Sequence, residues 1–284
     1  MADSHVSLTV SELNIYPVKG LKGIALEEAR ATPRGLENDR RWMVVDPQGT
    51  FLTQRTVPKM ATVWTELYDD ALALSAPDMD VVEVPLAAQD GEVLRVVVWR
   101  SVCDAVAVSP AADAWLSEYL GMPCRLVHMP ESTRRYSNPD YAGSGKLVGF
   151  ADGYACLATS EASLAELNER LAAQGHRPLP MNRFRPNIVV AGGAPYAEDA
   201  WREIGIGAAA FRGVKPCGRC QVTTTDQATG EVRGPEPLAT LATYREHPEF
   251  GIMFGMNWVV EITGTIRVGD AVTVRAHAAA MAKT

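Results

Sequence analysis

Leu8 and Val10, preceded by Val6, alternate with polar neighbours, the period-two pattern of a strand with one buried face. A second apolar run over 41–45 leads into Asp46-Pro47-Gln48-Gly49 and then Phe51-Leu52, which predicts strand, turn and returning strand. Further β-rich text covers 81–84, stopped by Pro85, and 93–102, dense in β-branched residues around Trp99. The first hundred residues therefore predict a small barrel or sandwich.

Helical periodicity is scarcer. The stretch 110–120 (PAADAWLSEYL) is one candidate, and 160–173 is a better one, because Leu164, Leu167 and Leu171 recur at helical spacing. Leu238, Leu241 and Tyr244 suggest a third helix. Strand text returns over 258–262 and 265–268, then in the alternation of Val272, Val274 and Ala276 before a small-residue tail. No 20–50-residue repeat is visible, so a solenoid or propeller is not expected. The polar segment 129–145 (MPESTRRYSNPDYAGSG) predicts a connecting loop, dividing the chain into domains 1–128 and 129–284. The fold class is mainly β with a few helices (α+β).

Composition narrows the class. The 284 residues are 47% hydrophobic and 21% charged, which excludes disorder as the main state and a collagen-like chain. A net charge of −7 argues against a nucleic-acid binder, which needs surplus cations to displace counterions. Five cysteines, at 103, 124, 156, 217 and 220, are too few and odd in number for a disulfide framework. The N-terminal text has no basic region followed by an apolar core, and no run of ~18 apolar residues suits a bilayer. No membrane role is expected, and the expected location is cytoplasmic.

The sharpest chemical feature is Lys215-Pro216-Cys217-Gly218-Arg219-Cys220, followed by threonine-rich text that predicts a strand. Positive neighbours, counting Arg212, Lys215 and Arg219, favour thiolate over thiol and make one cysteine a soft ligand or nucleophile. Structural zinc wants four ligands, yet there is no second Cys pair and the histidines (5, 128, 176, 247, 277) are scattered. A thioredoxin-like pair wants a helix opening at the CxxC. What remains is one thiolate on a metal cofactor, or two buried cysteines without chemistry. Three more constellations stand out. Tyr16-Pro17-Val18-Lys19-Gly20 can set an ammonium and free N–H groups around an anion, or be a glycine turn on the surface. Asn38-Asp39-Arg40-Arg41-Trp42 puts arginine before a strand. Arg183-Phe184-Arg185-Pro186-Asn187 holds arginine against a fixed-φ proline, suited to bidentate recognition of phosphate or carboxylate.

Their order along one chain is more telling. YPVKGLKG, NDRRW, FADGYACLATSEASLAELNERL, RFRPNIVV, KPCGRCQVTTTDQATGE, PLATLATYR and FGMN together resemble the MOSC family, named for the molybdenum cofactor sulfurase C-terminal domain. Within it, the chain is similar to the branch of the mitochondrial amidoxime-reducing component and its bacterial relatives, over nearly its whole length. The resemblance implies a MOSC N-terminal β-barrel-like domain packed on a MOSC β-barrel domain, with a molybdenum–pyranopterin cofactor in the cleft between them. It puts Cys220, read as borne on a strand beside Arg219, at the position of the thiolate ligand to molybdenum. Lys19, Gly20 and Arg40 fall at cofactor-contacting positions, where Lys and Arg would hold the pterin's phosphate. Asp152, Gly153, Tyr154, Arg185, Asn187, Gly218, Arg219 and Asn257 fall on segments that approach the cofactor. Serine is more usual at positions 20, 154 and 218, so a hydroxyl contact there is lost or changed. Cys217 matches a cysteine that does not bind the metal.

The implied reaction is two-electron reduction of N-hydroxylated small molecules such as amidoximes, hydroxylamines and N-hydroxylated purines. Asp152 would orient the cofactor or relay a proton, against the plainer reading of a turn-forming aspartate. With no further cysteines after Cys220, no iron–sulfur cluster is expected, and electrons would come from a separate ferredoxin, flavin reductase or small cytochrome. The alternative is a carrier of molybdenum cofactor or its sulfur without turnover.

Overall fold

A computed structural model describes residues 7–86 and 91–277. Val6, His5 and the small-residue tail lie outside these. The strand Thr9–Ile15 carries the first alternation, with a bulge between Val10 and Glu12 that lets Val10, Leu13 and Ile15 all face one core. It pairs antiparallel with Ile188–Ala191 on one side and Ile24–Leu26 on the other. Among the described residues this forms a nine-stranded sheet that continues through Cys156–Ser160, Gly251–Ile262, Ala209–Gly218, Trp201–Ile206 and Val272–His277, with the two-residue Glu246–His247 paired to Gly251–Ile262 off that path. A smaller sheet joins Glu28–Thr32 to Gly264–Arg267. Hydrogen bonds thus cross residue 128: the first 36 residues supply Val10, Leu13, Ile15, Ala29, Ala31 and Leu36 to a core shared with Trp201, Phe211 and Trp258.

The rest of the first half builds its own layers. A five-stranded sheet runs Val93–Val98, Ser101–Ala107, Arg125–His128, Trp42–Val45 and the two-residue Val18–Lys19, and a meander joins Trp64–Leu67, Ala71–Ala76 and Met79–Pro85. The meander and the helix Pro110–Leu120 enclose a core of Trp42, Leu72, Leu74 and Leu116. That helix has the predicted bounds because Ser109 accepts from the Ala112 N–H, Pro110 opens it, and Gly121 closes it at φ +73°. The other two expected helices are Glu161–Ala173, with Ser160 as its cap, and Leu238–Arg245, and a short helix, Pro139–Ala142, stands between the first and these.

The β-rich stretch 93–102 holds two strands: the chain turns at Trp99-Arg100 into a hairpin, with Trp99 left-handed at φ +55°. The text after Cys220 is not a strand but a 3₁₀ turn, Gln221–Thr224, because Thr223 and Thr224 hydroxyls donate back to the carbonyls of Cys220 (3.0 Å) and Gln221 (2.8 Å). The segment 129–145 is mostly irregular, with one short helix, and it is packed: Thr133, Arg135 and Ser137 are buried in it. Among the described residues no helix is long and apolar enough to cross a membrane.

Candidate active site

One cavity brings together all twelve residues singled out above: Lys19, Gly20, Arg40, Asp152, Gly153, Tyr154, Arg185, Asn187, Gly218, Arg219, Cys220 and Asn257. Its floor is the end of three neighbouring strands, where Leu157 sits opposite Asn257, Asn257 opposite Lys215, and Gly218 opposite Met253. The walls come from Lys19 and Gly20, Arg40, 52–54, 151–154, and Phe184, Arg185 and Asn187.

Lys19 is buried, on the two-residue strand held parallel to Trp42–Val45, and it forms an ion pair with Asp152. Burial lowers the lysine's pKa, with Asp152 opposing and Arg135 and Arg40 adding to the fall. Burial works against charge on Asp152, but the Lys19 ammonium, its hydrogen bond, the Trp99 indole and Arg40 together hold the carboxyl well below the usual range. Two-thirds of the Asp152 side chain is nevertheless open to solvent (65%), so the pair is half in water and its strength is correspondingly screened. Trp99 Nε1 donates to Asp152 Oδ1 at 3.0 Å, with Arg55 over its ring at 4.4 Å and Phe51 packed against it at 4.8 Å. The turn bearing Asp152 is held from behind by Arg135, whose guanidinium donates to the carbonyls of Gly149 (2.5 Å), Ala151 (2.6 Å) and Asp152 (3.0 Å).

Arg40 and Arg185 both lie over the Tyr16 ring, with guanidinium carbons 4.3 and 4.2 Å from its centre. Both residues are left-handed, at φ +48° and +54°, a conformation that non-glycine residues hold only where the surroundings enforce it. Arg40 Nη1 donates to both oxygens of buried Asp39 (2.9 and 2.7 Å) and to Asn187 Oδ1 (3.0 Å). Arg185 donates to the Leu21 carbonyl (2.7 Å) and Gln227 Oε1 (3.2 Å), and burial pulls its pKa down to about 10, still charged at neutral pH. Asn187 acts as a strut: its oxygen also accepts from the Leu157 N–H (3.1 Å) and its amide donates to the Asn14 carbonyl (3.1 Å).

Cys217 and Cys220 both line the cavity and are partly exposed. Their electrostatic surroundings differ from those inferred from sequence. Arg219 reaches Cys217 Sγ (2.9 Å) and the Phe184 carbonyl (2.7 Å) rather than Cys220. Arg212 is bound to Glu261 (2.7 Å), and Lys215 lies over Tyr141 (4.2 Å). Cys220 lies beyond the strand's end, where it precedes the 3₁₀ turn. Among the described residues no three His, Cys, Asp or Glu side chains converge on a metal-sized site.

Packing accounts for glycine at two of the three departures from serine. A Cβ at Gly218 would stand 2.2 Å from the Phe250 carbonyl oxygen, and one at Gly20, where φ is +84°, 2.9 Å from Met60 Cε. Sequence reasoning missed Trp99, Arg135, Gln54 and Gln227. The last two hydrogen-bond each other (3.1 and 2.9 Å), and no sequence motif announces that pairing.

Against known proteins, residues 7–123 match the MOSC N-terminal beta barrel domain and residues 146–273 match the MOSC domain. The chain belongs to the MOSC family. It is 36% identical to mitochondrial amidoxime-reducing component 1 of Mus musculus, over 93% of this chain and 81% of that protein. Its identity to the human counterpart is 35%, over 93% and 82%. The molybdenum cofactor sulfurase of Oryza sativa subsp. japonica is 31% identical over 87% of this MOSC chain, which covers 32% of that longer protein.

Proposed function

We propose that this MOSC protein holds a molybdenum–pyranopterin cofactor in the cavity and reduces N-hydroxylated small molecules there. The observation carrying the proposal is the charge of a single cavity: Lys19, Arg40, Arg185 and Arg219 line it, with Asp152 as the lining carboxylate, around two accessible thiols. Amidoxime-reducing relatives covered over four-fifths of their length support the same reading.

The residues fit such a group. The buried Arg219 Nε has no hydrogen-bond partner, and a Cβ at Gly153 would meet nothing within 4 Å, so donors and space remain for a phosphate-bearing ligand. Cys220 is the soft ligand, and its sulfur makes no hydrogen bond among the described residues that would compete with a metal. Lys19, Arg40 and Arg185 would hold the phosphate by charge-assisted hydrogen bonds. When bound, the cofactor supplies a two-electron redox couple at molybdenum. Asp152 stays a carboxylate at neutral pH, so it orients Lys19 rather than donating a proton. The Tyr154 hydroxyl, pushed up to about 12 by burial, keeps its proton and can donate a hydrogen bond at the wall. Reduction breaks the substrate's N–O bond, consumes two electrons and two protons, and releases water. The electrons come from a separate donor: a ferredoxin, a flavin reductase or a small cytochrome.

The likeness to a cofactor sulfurase favours one second reading, a carrier of the cofactor or its sulfur. Protein from a molybdenum-replete host tests both. Near-stoichiometric molybdenum with amidoxime reduction, abolished by Cys220→Ser and largely spared by Cys217→Ser, supports the reductase. Stoichiometric molybdenum without turnover from any donor class supports the carrier, and zinc in place of molybdenum overturns both.

A further inference from the structure

A second, roomier cavity of about 550 Å³ opens on the outer side of the 30–41 segment. Its charged lining is Arg30, Arg34, Arg41 and Arg134 with Glu37 and Glu131. Arg30 is satisfied by its own ion pair with Glu37. Arg34 and Arg41 share one carboxylate, that of Glu131, whose side chain is 79% exposed, while Arg134 meets only backbone oxygens among the described residues. Arg41 Nη1 donates to it at 2.6 Å, and Arg34 Nε stands 3.6 Å from it.

Two of these arginines are set in place by the backbone. Arg34 is 6% exposed: its Nη2 donates to the carbonyls of Glu131 (3.1 Å) and Thr133 (2.6 Å), while Nη1 meets only the Met129 sulfur at 3.7 Å. Arg41 Nη2 donates to the Met129 carbonyl (2.6 Å), and its buried Nε has no partner. Exposed Arg134 completes the rim, with Nη1 on the Glu131 carbonyl (2.5 Å). Buried cations that lack counter-charge and hydrogen-bond partners are costly. Here burial, with repulsion from Arg41 and Arg134, lowers the Arg34 pKa despite Glu131. Glu131 is a weak occupant, since an exposed carboxylate on a flexible side chain loses conformational entropy to stay bound.

We propose that this cavity binds a small multivalent oxyanion, a di- or tricarboxylate or a phosphate ester, whose charged group displaces the Glu131 carboxylate from Arg34 and Arg41. The apolar Leu36 and Leu147 on its wall leave room for the ligand's carbon frame. The site does not depend on any reading of the first cavity, whose cations are a different set.

Isothermal titration of the full-length protein with citrate, and separately with inorganic phosphate, at ionic strength held constant with sodium chloride, tests this. Glu131→Gln removes the internal competitor, and about tenfold tighter binding of at least one probe is expected, the worth of one charge-assisted hydrogen bond. Arg41→Gln, or the exposed Arg134→Gln if the buried change unfolds the protein, should weaken that probe at least about tenfold in the Glu131→Gln background. Neither change touches the first cavity's lining, so a difference in affinity is read from the second. Binding unchanged or weakened by Glu131→Gln overturns the proposal, as does tightening that survives loss of Arg134 and Arg41.

Discussion

Gly218 is the place where the site's geometry is most exposed to a single methyl group. A Cβ there would lie 2.2 Å from the Phe250 carbonyl oxygen, about 1 Å inside ordinary carbon–oxygen contact, and the obstacle is backbone rather than a side-chain tip. Relief requires the end of Ala209–Gly218 to move away from Gly251–Ile262 by roughly that 1 Å, straining the Arg219 N–H bond to the Ile252 carbonyl (2.6 Å). Overpacking of this kind costs about 1–3 kcal/mol, a fall in melting temperature of roughly 2–10 °C for a chain this size. The same movement displaces Cys220, two residues on, and a 1 Å misplacement can cost on the order of 100-fold in rate. Gly218→Ala is therefore expected to melt lower than Gly153→Ala, whose Cβ meets nothing within 4 Å, and to lose amidoxime reduction per bound molybdenum. Differential scanning calorimetry and metal-normalised kinetics measure the two effects. A Gly218→Ala protein with wild-type melting and wild-type turnover would refute the reasoning.

Glu198 predicts a pH dependence of stability. It is fully buried, hydrogen-bonded by Ser160 (3.0 Å) and Ser163 (2.7 Å), and burial with Asp199 alongside pushes it up to about 6 from 4.5. The folded state thus binds its proton more tightly than the unfolded chain, so the contribution is most favourable below the unfolded pKa and is lost as pH rises through about 6, a cost of about 2 kcal/mol above it. Glu198→Gln should raise the urea midpoint at pH 7.5 more than at pH 4.5, and equal shifts at both pH values would count against it. Arg135→Gln removes three carbonyl contacts behind the Asp152 turn, with an expected loss of about 2–4 kcal/mol in urea unfolding together with lower molybdenum retention. Loss of stability with full retention would show that the turn does not position the site. Asp152→Asn takes away the counter-charge that opposes the desolvation of Lys19, so the alkaline limb of the pH–retention profile should move to lower pH. A limb that stays put would mean that Lys19 does not govern retention.

Much of this architecture was legible because local chemistry agreed with it. Ser109, Pro110 and Gly121 mark both ends of one helix, and the leucine spacing marks the buried face of another. The pairing of Thr9–Ile15 with Ile188–Ala191 was not legible, since strand partners 175–182 residues apart leave no trace in either strand's alternation. Trp99 hid its turn because neither Trp nor Arg is a turn former: the left-handed backbone is sustained by contacts with Asp152, Arg55 and Phe51, all distant in sequence. Motif order brought twelve residues to one cavity but set the Arg219 charge beside Cys220, whereas its guanidinium reaches Cys217. Adjacency to two cysteines could not say which sulfur the guanidinium reaches.

The arrangement around Tyr16 shows what the convergence accomplishes before any ligand arrives. Its hydroxyl donates to the Pro186 carbonyl (3.1 Å) and its N–H to Asp39 (2.8 Å), so one residue from the first half fixes segments on both sides of the cavity. Arg40 and Arg185 both rest against its ring, each in a backbone conformation that costs energy unless the surroundings hold it. That cost is met by ring contact, by the buried Asp39 carboxylate and by the Leu21 and Gln227 oxygens. The two guanidinium groups consequently keep little freedom to lose on binding an anion. Their fixed positions also tie the cavity to the shared core, because Leu13 and Ile15, just ahead of Tyr16, belong to the nine-stranded sheet. Loosening that strand should therefore weaken ligand retention even where no cavity residue is changed.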